Sequence, residues 1–237
     1  MVNSEFEEAL IVVLAGSRVY GTHSPASDVD YRGIIPAKRE MLLGLESWNT
    51  QIVRHEPDIV LYTLPKFVKL ALGANPNILD TLFAPDDAIV KMTKVGSELR
   101  EMRRSFLSKR VYTTFTGYAH AQMQKLRNPG GHHGVHRDLI DKWGYDTKNA
   151  MHLVRLYRMG YEALTDGVIR VGRPDAEELL EIRNGAWSLQ QVEQFAEEMN
   201  RKCEAALAET KLPDEPDTER ILTWLMDTQL WMLNGGV

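Results

Sequence analysis

A Gly-Ser pair followed by an Asp-x-Asp triplet is the feature that most constrains the fold and the chemistry of this chain. Gly16-Ser17 comes shortly after an apolar run at residues 9–14, and Asp28 and Asp30 lead into a second apolar run. This order predicts a strand, a tight turn and a second strand. Alternate residues of a strand share one face, so the two carboxylates are expected side by side, where their repulsion favours a cation between them.

The turn before the aspartates has the composition of a phosphate-binding loop. Glycine lets the backbone come close to a phosphate, and backbone N–H groups together with a serine hydroxyl hold its oxygens. We expect Gly16 and Ser17 to bind nucleotide phosphates, and Arg18 and Tyr20 to complete the phosphate and sugar pocket. Arg32 shares the predicted strand face with the aspartates, and it either pairs with them or reaches a phosphate.

The acidic residues predict a catalytic metal centre. Hard carboxylate oxygens suit Mg²⁺ or Mn²⁺ that carries substrate phosphates. Two-metal nucleotidyl transfer needs a bridging pair, here Asp28 and Asp30, and a third carboxylate on the side of the attacking hydroxyl. We assign the third to Asp58, which opens an apolar strand-like run, with Glu56 two residues earlier as the alternative. The competing interpretation of these aspartates is a polar surface turn.

A second group of polar residues recurs at helical spacing in the later part of the chain. Lys148, His152 and Arg155 stand at i, i+4 and i+7, which places three potential cations on one helical face. We expect this helix to line a nucleotide cleft, with Lys148 reaching the triphosphate and His152 near the base or the acceptor. Asp146 suits the N-cap of that helix. The alternative is a solvated helix face.

The pattern along the chain predicts an α+β fold, with a small mixed sheet followed by helices. Residues 1–90 alternate strand and helix signals and form the predicted nucleotidyltransferase catalytic core. Residues 91–237 show helical periodicity and form the predicted helical domain that closes the nucleotide cleft. The predicted strands lie near residues 9–14, 29–35 and 58–64, and the predicted helices are 38–43, 65–72, 79–83, 95–106, 109–126, 139–164, 175–183, 189–207 and 218–233.

Charge and composition set limits on the partners. A net charge of -5 argues against a protein that coats nucleic acid. The stretch 91–137 is nevertheless basic, with ten Lys and Arg against Glu98 and Glu101. It could present a basic face to a polyphosphate or an RNA strand, and the alternative is an ordinary solvated helix surface. The oligomeric state is not predicted.

The remaining features point to a cytoplasmic protein without a membrane partner. The acidic N-terminal segment lacks the plan of a signal peptide, and no apolar run is long enough to span a bilayer. The single cysteine, Cys203, fits a reducing compartment and is expected to be structural. His132, His133 and His136 lie in a glycine-rich loop without cysteines, so we do not expect zinc there.

Three motifs carry a resemblance to a known superfamily. The Gly-Ser turn with Asp28 and Asp30 resembles the DNA polymerase β-like nucleotidyltransferases. Gly-Ser-Arg-x-Tyr-Gly at residues 16–21 is similar to a branch described as RNA repair pathway nucleotidyltransferases. That branch also shares an Asn-Pro-Asn segment before a Leu-acid-x-Leu-Phe run, here residues 75–83, and Gly-Tyr-Asp-x-Lys-x-Ala-x-His-x-x-Arg-Leu, here residues 144–156.

The resemblance implies an activity without naming its acceptor. It implies metal-dependent transfer of an NMP from an NTP to a hydroxyl group, with release of pyrophosphate. The branch points to an RNA 3′ end as acceptor, while a protein side chain or a small molecule is equally compatible with the superfamily. The alternative is a non-catalytic nucleotide-binding module or an antitoxin-like interaction module. The intact aspartate pair argues against that alternative.

Overall fold

The chain divides into two compact units. The computed structural model describes residues 6–25, 27–127 and 136–236. Unit 1 comprises the chain up to Ser108 together with the stretch from Glu215 onward, and unit 2 comprises Lys109–Asp214. The boundary that the sequence predicted, between residues 90 and 91, falls inside a strand of unit 1. The segment that carries His132 and His133 lies outside the described residues.

Unit 1 is built on one five-stranded mixed sheet. Its strands are β1 Ile11–Ala15, β2 Asp30–Ile35, β3 Gln51–His55, β4 Asp58–Thr63 and β5 Ile89–Met92, in the order β3-β4-β2-β1-β5. β2 and β4 are parallel, whereas β1 pairs with β2 and β5, and β3 with β4, in antiparallel fashion. The predicted α+β fold is confirmed.

Both units contain helices, and the helices of unit 1 come before and after those of unit 2 in the chain. In chain order they are α1 Gly16–Val19, α2 Arg39–Leu43, α3 Leu64–Leu72, α4 Pro76–Leu82, α5 Lys94–Glu101, α6 Arg110–Arg127, α7 Arg137–Trp143, α8 Thr147–Asp166, α9 Ala176–Arg183, α10 Leu189–Glu209 and α11 Thr218–Leu233. Unit 1 also contains the short 3₁₀ helices Asp86–Ala88 and Arg103–Phe106. α11 returns to unit 1, where it packs on α3.

The two faces of the sheet carry different sets of side chains. Because alternate residues of a strand point to opposite faces, Val12, Ile59 and Leu61 share one face, which packs with Phe6 into an apolar cluster. The opposite face carries Asp30, Asp58 and Tyr62, and the Tyr62 ring contacts Phe67 of α3. Asp30 and Asp58 therefore lie on the helix-covered face, at the end of the sheet where β2 and β4 begin.

Unit 2 is organised around α8, which packs against α6, α9 and α10. The approach of α6 and α8 is close, because a Cβ added to Gly160 would lie 2.8 Å from Cβ of Phe115. Cys203 is fully buried, and burial raises the pKa of its thiol to about 11. The structural interpretation of this cysteine is supported.

The differences from the predicted elements have local causes. β3 was missed because four of its five residues are exposed at the edge of the sheet, which leaves no apolar run. β5 was missed because it is only four residues long. The single helix predicted over 139–164 is wrong: Gly144, at φ +80°, ends α7 and separates it from α8. Among the described residues, no helix is both long and apolar enough to cross a membrane.

Candidate active site

Two of the predicted carboxylates are register partners on neighbouring strands. We call such a set of register partners across the sheet a rung. Asp30 is the register partner of Asp58 on the parallel strand β4, and of Ala15 at the end of β1. His55, the last residue of β3, lies opposite Asp58 on the other side. Register partners point to the same face, so the side chains of Asp30 and Asp58 lie side by side at the start of their strands. Both are partly exposed.

The glycine of the Gly-Ser turn is explained by the same rung. Gly16 has φ +63°, a left-handed conformation that side chains disfavour. A Cβ at this position would also overlap Oδ2 of Asp30. The carboxylate of Asp30 therefore rests against the Cα of Gly16, and the two motifs read from the sequence form one local structure.

Arg18 links the turn to the segment that carries Asp28. Its guanidinium donates through Nη2 to the carbonyl of Ser27 at 2.9 Å and through Nε to the carbonyl of Asp28 at 3.3 Å. Within the turn, the carbonyl of Ser17 accepts from the backbone N–H of Thr22 at 2.8 Å. Arg18 thus braces the loop. Phosphate binding by Gly16, Ser17 and Arg18 stays a prediction.

Asp28 and Glu56 both lie outside the strands. β2 begins at Asp30, so the expectation that Asp28 belongs to the strand is wrong. The physical reason is that β1 ends opposite Asp30 and turns into α1, which leaves Asp28 without a ladder partner, and Asp28 is exposed. Glu56 occupies the turn between β3 and β4 and is exposed, whereas Asp58 is the first residue of β4.

We name Asp28, Asp30 and Asp58 the carboxylate edge. Its oxygens are of the hard type that Mg²⁺ and Mn²⁺ prefer, which fits the predicted metal chemically. In the described part of the chain, no three His, Cys, Asp or Glu side chains are already gathered closely enough to hold a metal ion. The donor set fits, and its third member, Asp28, lies on a loop rather than on the rung.

Tyr20 is directed into unit 1. Its side chain is 7% exposed, and its hydroxyl donates a hydrogen bond to Oδ2 of Asp80 on α4, which is also 7% exposed. Binding of nucleotide by Tyr20 stays a prediction, although its hydroxyl is already engaged by this carboxylate. Asp80 was not among the predicted functional residues. The sequence nevertheless marks Asp80, since it is the acidic residue of the Leu-acid-x-Leu-Phe run.

Unit 2 gathers the second group of predicted residues on α8. Asp146 is the N-cap as predicted, accepting from the backbone N–H of Asn149 at 3.1 Å. We name Lys148, His152 and Arg155 the α8 cluster. The charge of Arg183, at the end of α9, also acts on His152, and the Arg183 carbonyl accepts from the Thr147 hydroxyl of α8 at 2.7 Å.

His152 is not a third cation. Burial of its ring, together with the charges of Arg155 and Lys148, and of His136 and Arg183 beyond them, lowers the pKa of His152 to about 3. The imidazole is therefore neutral near pH 7, where it can donate one hydrogen bond and accept another. The expectation of three cations on one face is corrected to two, with a neutral histidine between them.

The basic stretch 91–137 begins in unit 1 and ends in unit 2. Most of its basic side chains contact groups of their own unit. Six of its ten basic side chains contact groups of their own unit. Lys91 donates to backbone carbonyls of residues 6 and 7, Lys94 pairs with Glu98, Arg100 with Asp86, Arg103 with the carbonyl of residue 100, Lys109 with Asp214 and Arg127 with Glu193. Much of the stretch therefore serves internal contacts.

Comparison with known proteins identifies the family of this chain. The chain is a nucleotidyltransferase-like protein. More narrowly, it belongs to the RNA repair pathway DNA polymerase beta family, whose family model matches residues 3–227. The resemblance carried by the three sequence motifs is thereby confirmed.

Two further proteins are similar over parts of their length. A protein of Enterobacteria phage T4, described as an uncharacterized 38.9 kDa protein in the nrdC-mobD intergenic region, is 29% identical over 137 residues. That match covers 53% of this chain and 40% of the phage protein. A nucleotidyltransferase-like protein from Exiguobacterium sibiricum, of known crystal structure, aligns with 14% identity and a TM-score of 0.31, over 88% of this chain and 72% of its own.

Proposed function

We propose that this protein is a metal-dependent nucleotidyltransferase that transfers an NMP from an NTP to a hydroxyl acceptor and releases pyrophosphate. The observation that carries the proposal is the rung on which Asp30 and Asp58 lie side by side, with Asp30 resting against the glycine of the Gly-Ser turn. This arrangement joins carboxylates to a turn suited to phosphates, which is what transfer of a phosphoryl group requires.

In this proposal the turn holds the leaving end of the nucleotide. Gly16 carries no side chain because the Asp30 carboxylate occupies the place of a Cβ, and the backbone N–H groups of such a turn can bind the β- and γ-phosphates. The hydroxyl of Ser17 lies in the same turn and is partly exposed. The acceptor hydroxyl releases its proton to solvent as its oxygen forms a bond to the α-phosphorus, and the bond from that phosphorus to the bridging oxygen breaks as pyrophosphate departs.

The carboxylate edge would hold Mg²⁺ or Mn²⁺. The bound cation supplies charge neutralisation and lowers the pKa of the attacking hydroxyl. Asp30 and Asp28 are assigned to the nucleotide side, because Arg18 ties the Asp28 segment to the Gly-Ser turn. Asp58 is assigned to the acceptor side, since it lies on the far side of Asp30 from β1 and the turn.

We propose that the α8 cluster contributes contacts to the nucleotide. Lys148 is a compact charge suited to a triphosphate, and it is partly exposed. His152 stays neutral at pH 7, so it would contribute hydrogen bonds to the base or the acceptor rather than charge. We propose an RNA 3′ end as the acceptor, on the basis of the family description, and the cytoplasm as the compartment.

A labelling experiment with the full chain tests the proposal. The protein is incubated with each of the four α-labelled NTPs, Mg²⁺ or Mn²⁺, and either total RNA or a cell lysate, with EDTA as the control. We expect label in RNA from at least one NTP, equimolar pyrophosphate, and loss of both with EDTA. Label in protein or in small molecules instead of RNA would overturn the RNA acceptor alone. The absence of label from every fraction of a lysate would overturn the proposed nucleotidyltransferase activity itself.

A further inference from the structure

The hydrogen bond between Tyr20 and Asp80 joins two sequence motifs that lie 60 residues apart. We infer that Tyr20 and Asp80 are positioning residues, whose buried contact holds the Gly16–Val19 turn in the shape that binds the triphosphate. The inference rests on the proposed function, and it gives the Asn-Pro-Asn and Leu-acid-x-Leu-Phe motifs a role in nucleotide binding that needs no contact with the nucleotide.

The turn depends on outside support for its shape. α1 is four residues long, and a helix of that length is not stable by itself. Its exit is closed by two backbone hydrogen bonds, from Gly21 N–H to the Arg18 carbonyl at 3.2 Å and from Thr22 N–H to the Ser17 carbonyl at 2.8 Å. Tyr20 is the C-cap of α1, so a contact at Tyr20 fixes the end of the turn directly.

The support on the other side is rigid. Six of the seven residues of α4 are buried, and Asn75 caps its first turn by accepting from the Asn77 N–H at 3.1 Å. A helix held on nearly all sides cannot shift without disturbing the core. The Asp80 carboxylate therefore offers the Tyr20 hydroxyl a fixed point of attachment.

The chemistry of residue 80 also indicates a role beyond packing. A carboxylate with only 7% exposure is costly to bury, and an apolar side chain of similar volume would pack there without that cost. An acid at this place is useful when it must accept a hydrogen bond, here from Tyr20. Arg18 braces the other end of the turn through the carbonyls of Ser27 and Asp28, so the turn is held from two directions.

A matched pair of variants separates positioning from general loosening. Tyr20→Phe removes only the hydroxyl that reaches Asp80. Thr81→Val, in the same helix, removes a buried hydroxyl whose hydrogen bond, to the Asn77 carbonyl at 3.3 Å, lies within α4. Equilibrium dialysis of the full chain with labelled ATP, CTP, GTP or UTP and Mg²⁺ measures the dissociation constant, and thermal melts verify that each variant is folded.

We expect Tyr20→Phe to raise the dissociation constant of the bound NTP by about fivefold, the effect of one lost hydrogen bond. Thr81→Val should leave it within about twofold. Adding Asp80→Asn to Tyr20→Phe should change the constant little further, since the contact is already lost. Equal weakening by Tyr20→Phe and Thr81→Val, or none by either, would overturn the inference.

Hydrogen exchange provides a readout that does not require activity. The backbone N–H groups of Gly21 and Thr22 close the turn, so Tyr20→Phe should speed their exchange while Thr81→Val leaves it unchanged. If the wild-type protein binds no NTP, the proposed function fails, and exchange still decides whether this contact holds the turn. Unchanged exchange at both positions in Tyr20→Phe would overturn the inference regardless of the function.

Discussion

The carboxylate edge of unit 1 is assembled by register between strands, whereas the α8 cluster of unit 2 is assembled by the period of one helix. Asp30 and Asp58 meet because β2 and β4 pair in one particular alignment, 28 residues apart in sequence. Lys148, His152 and Arg155 share a face whenever the helix forms. The first arrangement depends on the whole fold of unit 1, and the second depends only on local structure.

The two sites also treat charge differently. The edge keeps its carboxylates at least partly exposed at the start of strands, where solvent and a cation can reach them. In the α8 cluster, burial and the neighbouring charges of Arg155 and Lys148 lower the pKa of His152 to about 3. The carboxylates of the edge are therefore accessible to ions, whereas the histidine of the cluster is neutral near pH 7.

The sharpest test of the edge replaces one rung carboxylate. Asp30→Asn keeps the shape but loses the charge, so we expect nucleotidyl transfer to fall by about 10³-fold or more. The unfolding temperature should stay near that of the wild type, since repulsion from a neighbouring carboxylate is relieved. Asp87→Asn, an exposed acid on a 3₁₀ helix, is the control and should retain activity. Full activity in folded Asp30→Asn would remove the metal assignment.

The fixed protonation of the cluster predicts a pH-dependent stability. The pKa of His152 is 6.5 when unperturbed and about 3 when folded, so between these values the unfolded chain binds a proton that the folded chain does not. The free energy of unfolding therefore falls as pH falls below about 6.5, by up to about 1.4 kcal/mol per pH unit. His152→Gln should remove this component, worth about 2–3 kcal/mol at pH 4.5.

Urea denaturation at pH 7 and at pH 4.5 measures that difference. Exposed His120, which contacts Gln124, provides the control, and His120→Gln should keep the slope of the wild-type protein. An unchanged pH slope in His152→Gln would mean that the ring is not held neutral by its surroundings.

The contact between Gly16 and Asp30 predicts a coupling between two substitutions. Gly16→Ala meets both the positive φ and the Asp30 carboxylate, whereas Gly167→Ala meets only a similar φ of +64° in open space. The positive φ costs about 1–2 kcal/mol of unfolding free energy in each variant. Gly16→Ala should cost about 1 kcal/mol more, and that excess should vanish in an Asp30→Ala background. Equal costs at both glycines would show that Asp30 does not press on the turn.

Lys148 tests whether the cluster serves the nucleotide. Lys148→Ala should raise KM for the NTP by about tenfold and lower kcat, because a charge that meets the departing pyrophosphate is lost. Activity should persist, unlike that of Asp30→Asn, since the carboxylate edge is intact. Lys202→Ala, which breaks an exposed pair with Glu198, serves as the control. An unchanged KM would leave unit 2 without this role.

The smallest effect concerns RNA binding by the basic stretch. Arg103 donates to the Arg100 carbonyl at 2.8 Å and lies over the Phe83 ring, while its neighbour Arg104 is exposed. We expect Arg104→Gln to flatten the slope of log affinity against log salt by about 0.7, and Arg103→Gln to leave it unchanged. Filter binding across KCl concentrations measures both slopes. Equal slopes in Arg104→Gln and the wild type would return Arg104 to ordinary solvated surface.

The sequence correctly predicts the structural elements that depend on local residue pattern. The period of α11 and the apolar runs of β1, β2 and β4 gave those elements within about two residues. The N-cap at Asp146 followed from residue type alone. The register of Asp30 with Asp58 did not, because pairing between distant strands depends on the complete sheet.

The remaining errors share a cause. The neutrality of His152 depends on how much of its ring is buried, which helical spacing does not report. The hydrogen bond of Tyr20 with Asp80 joins residues 60 positions apart, although each residue belongs to a motif of the sequence. The edge strand β3 has little apolar patterning because it buries little. Each depends on three-dimensional neighbours rather than on local pattern.

The return of α11 to unit 1 has a consequence for how the chain is made. Unit 2 is inserted within unit 1, and its two ends meet through the hydrogen bond from the Lys109 N–H to the Pro213 carbonyl at 2.8 Å. During synthesis all of unit 2 leaves the ribosome before the last part of unit 1 does. Unit 2 can therefore finish folding first, before α11 is available to pack on α3 of unit 1.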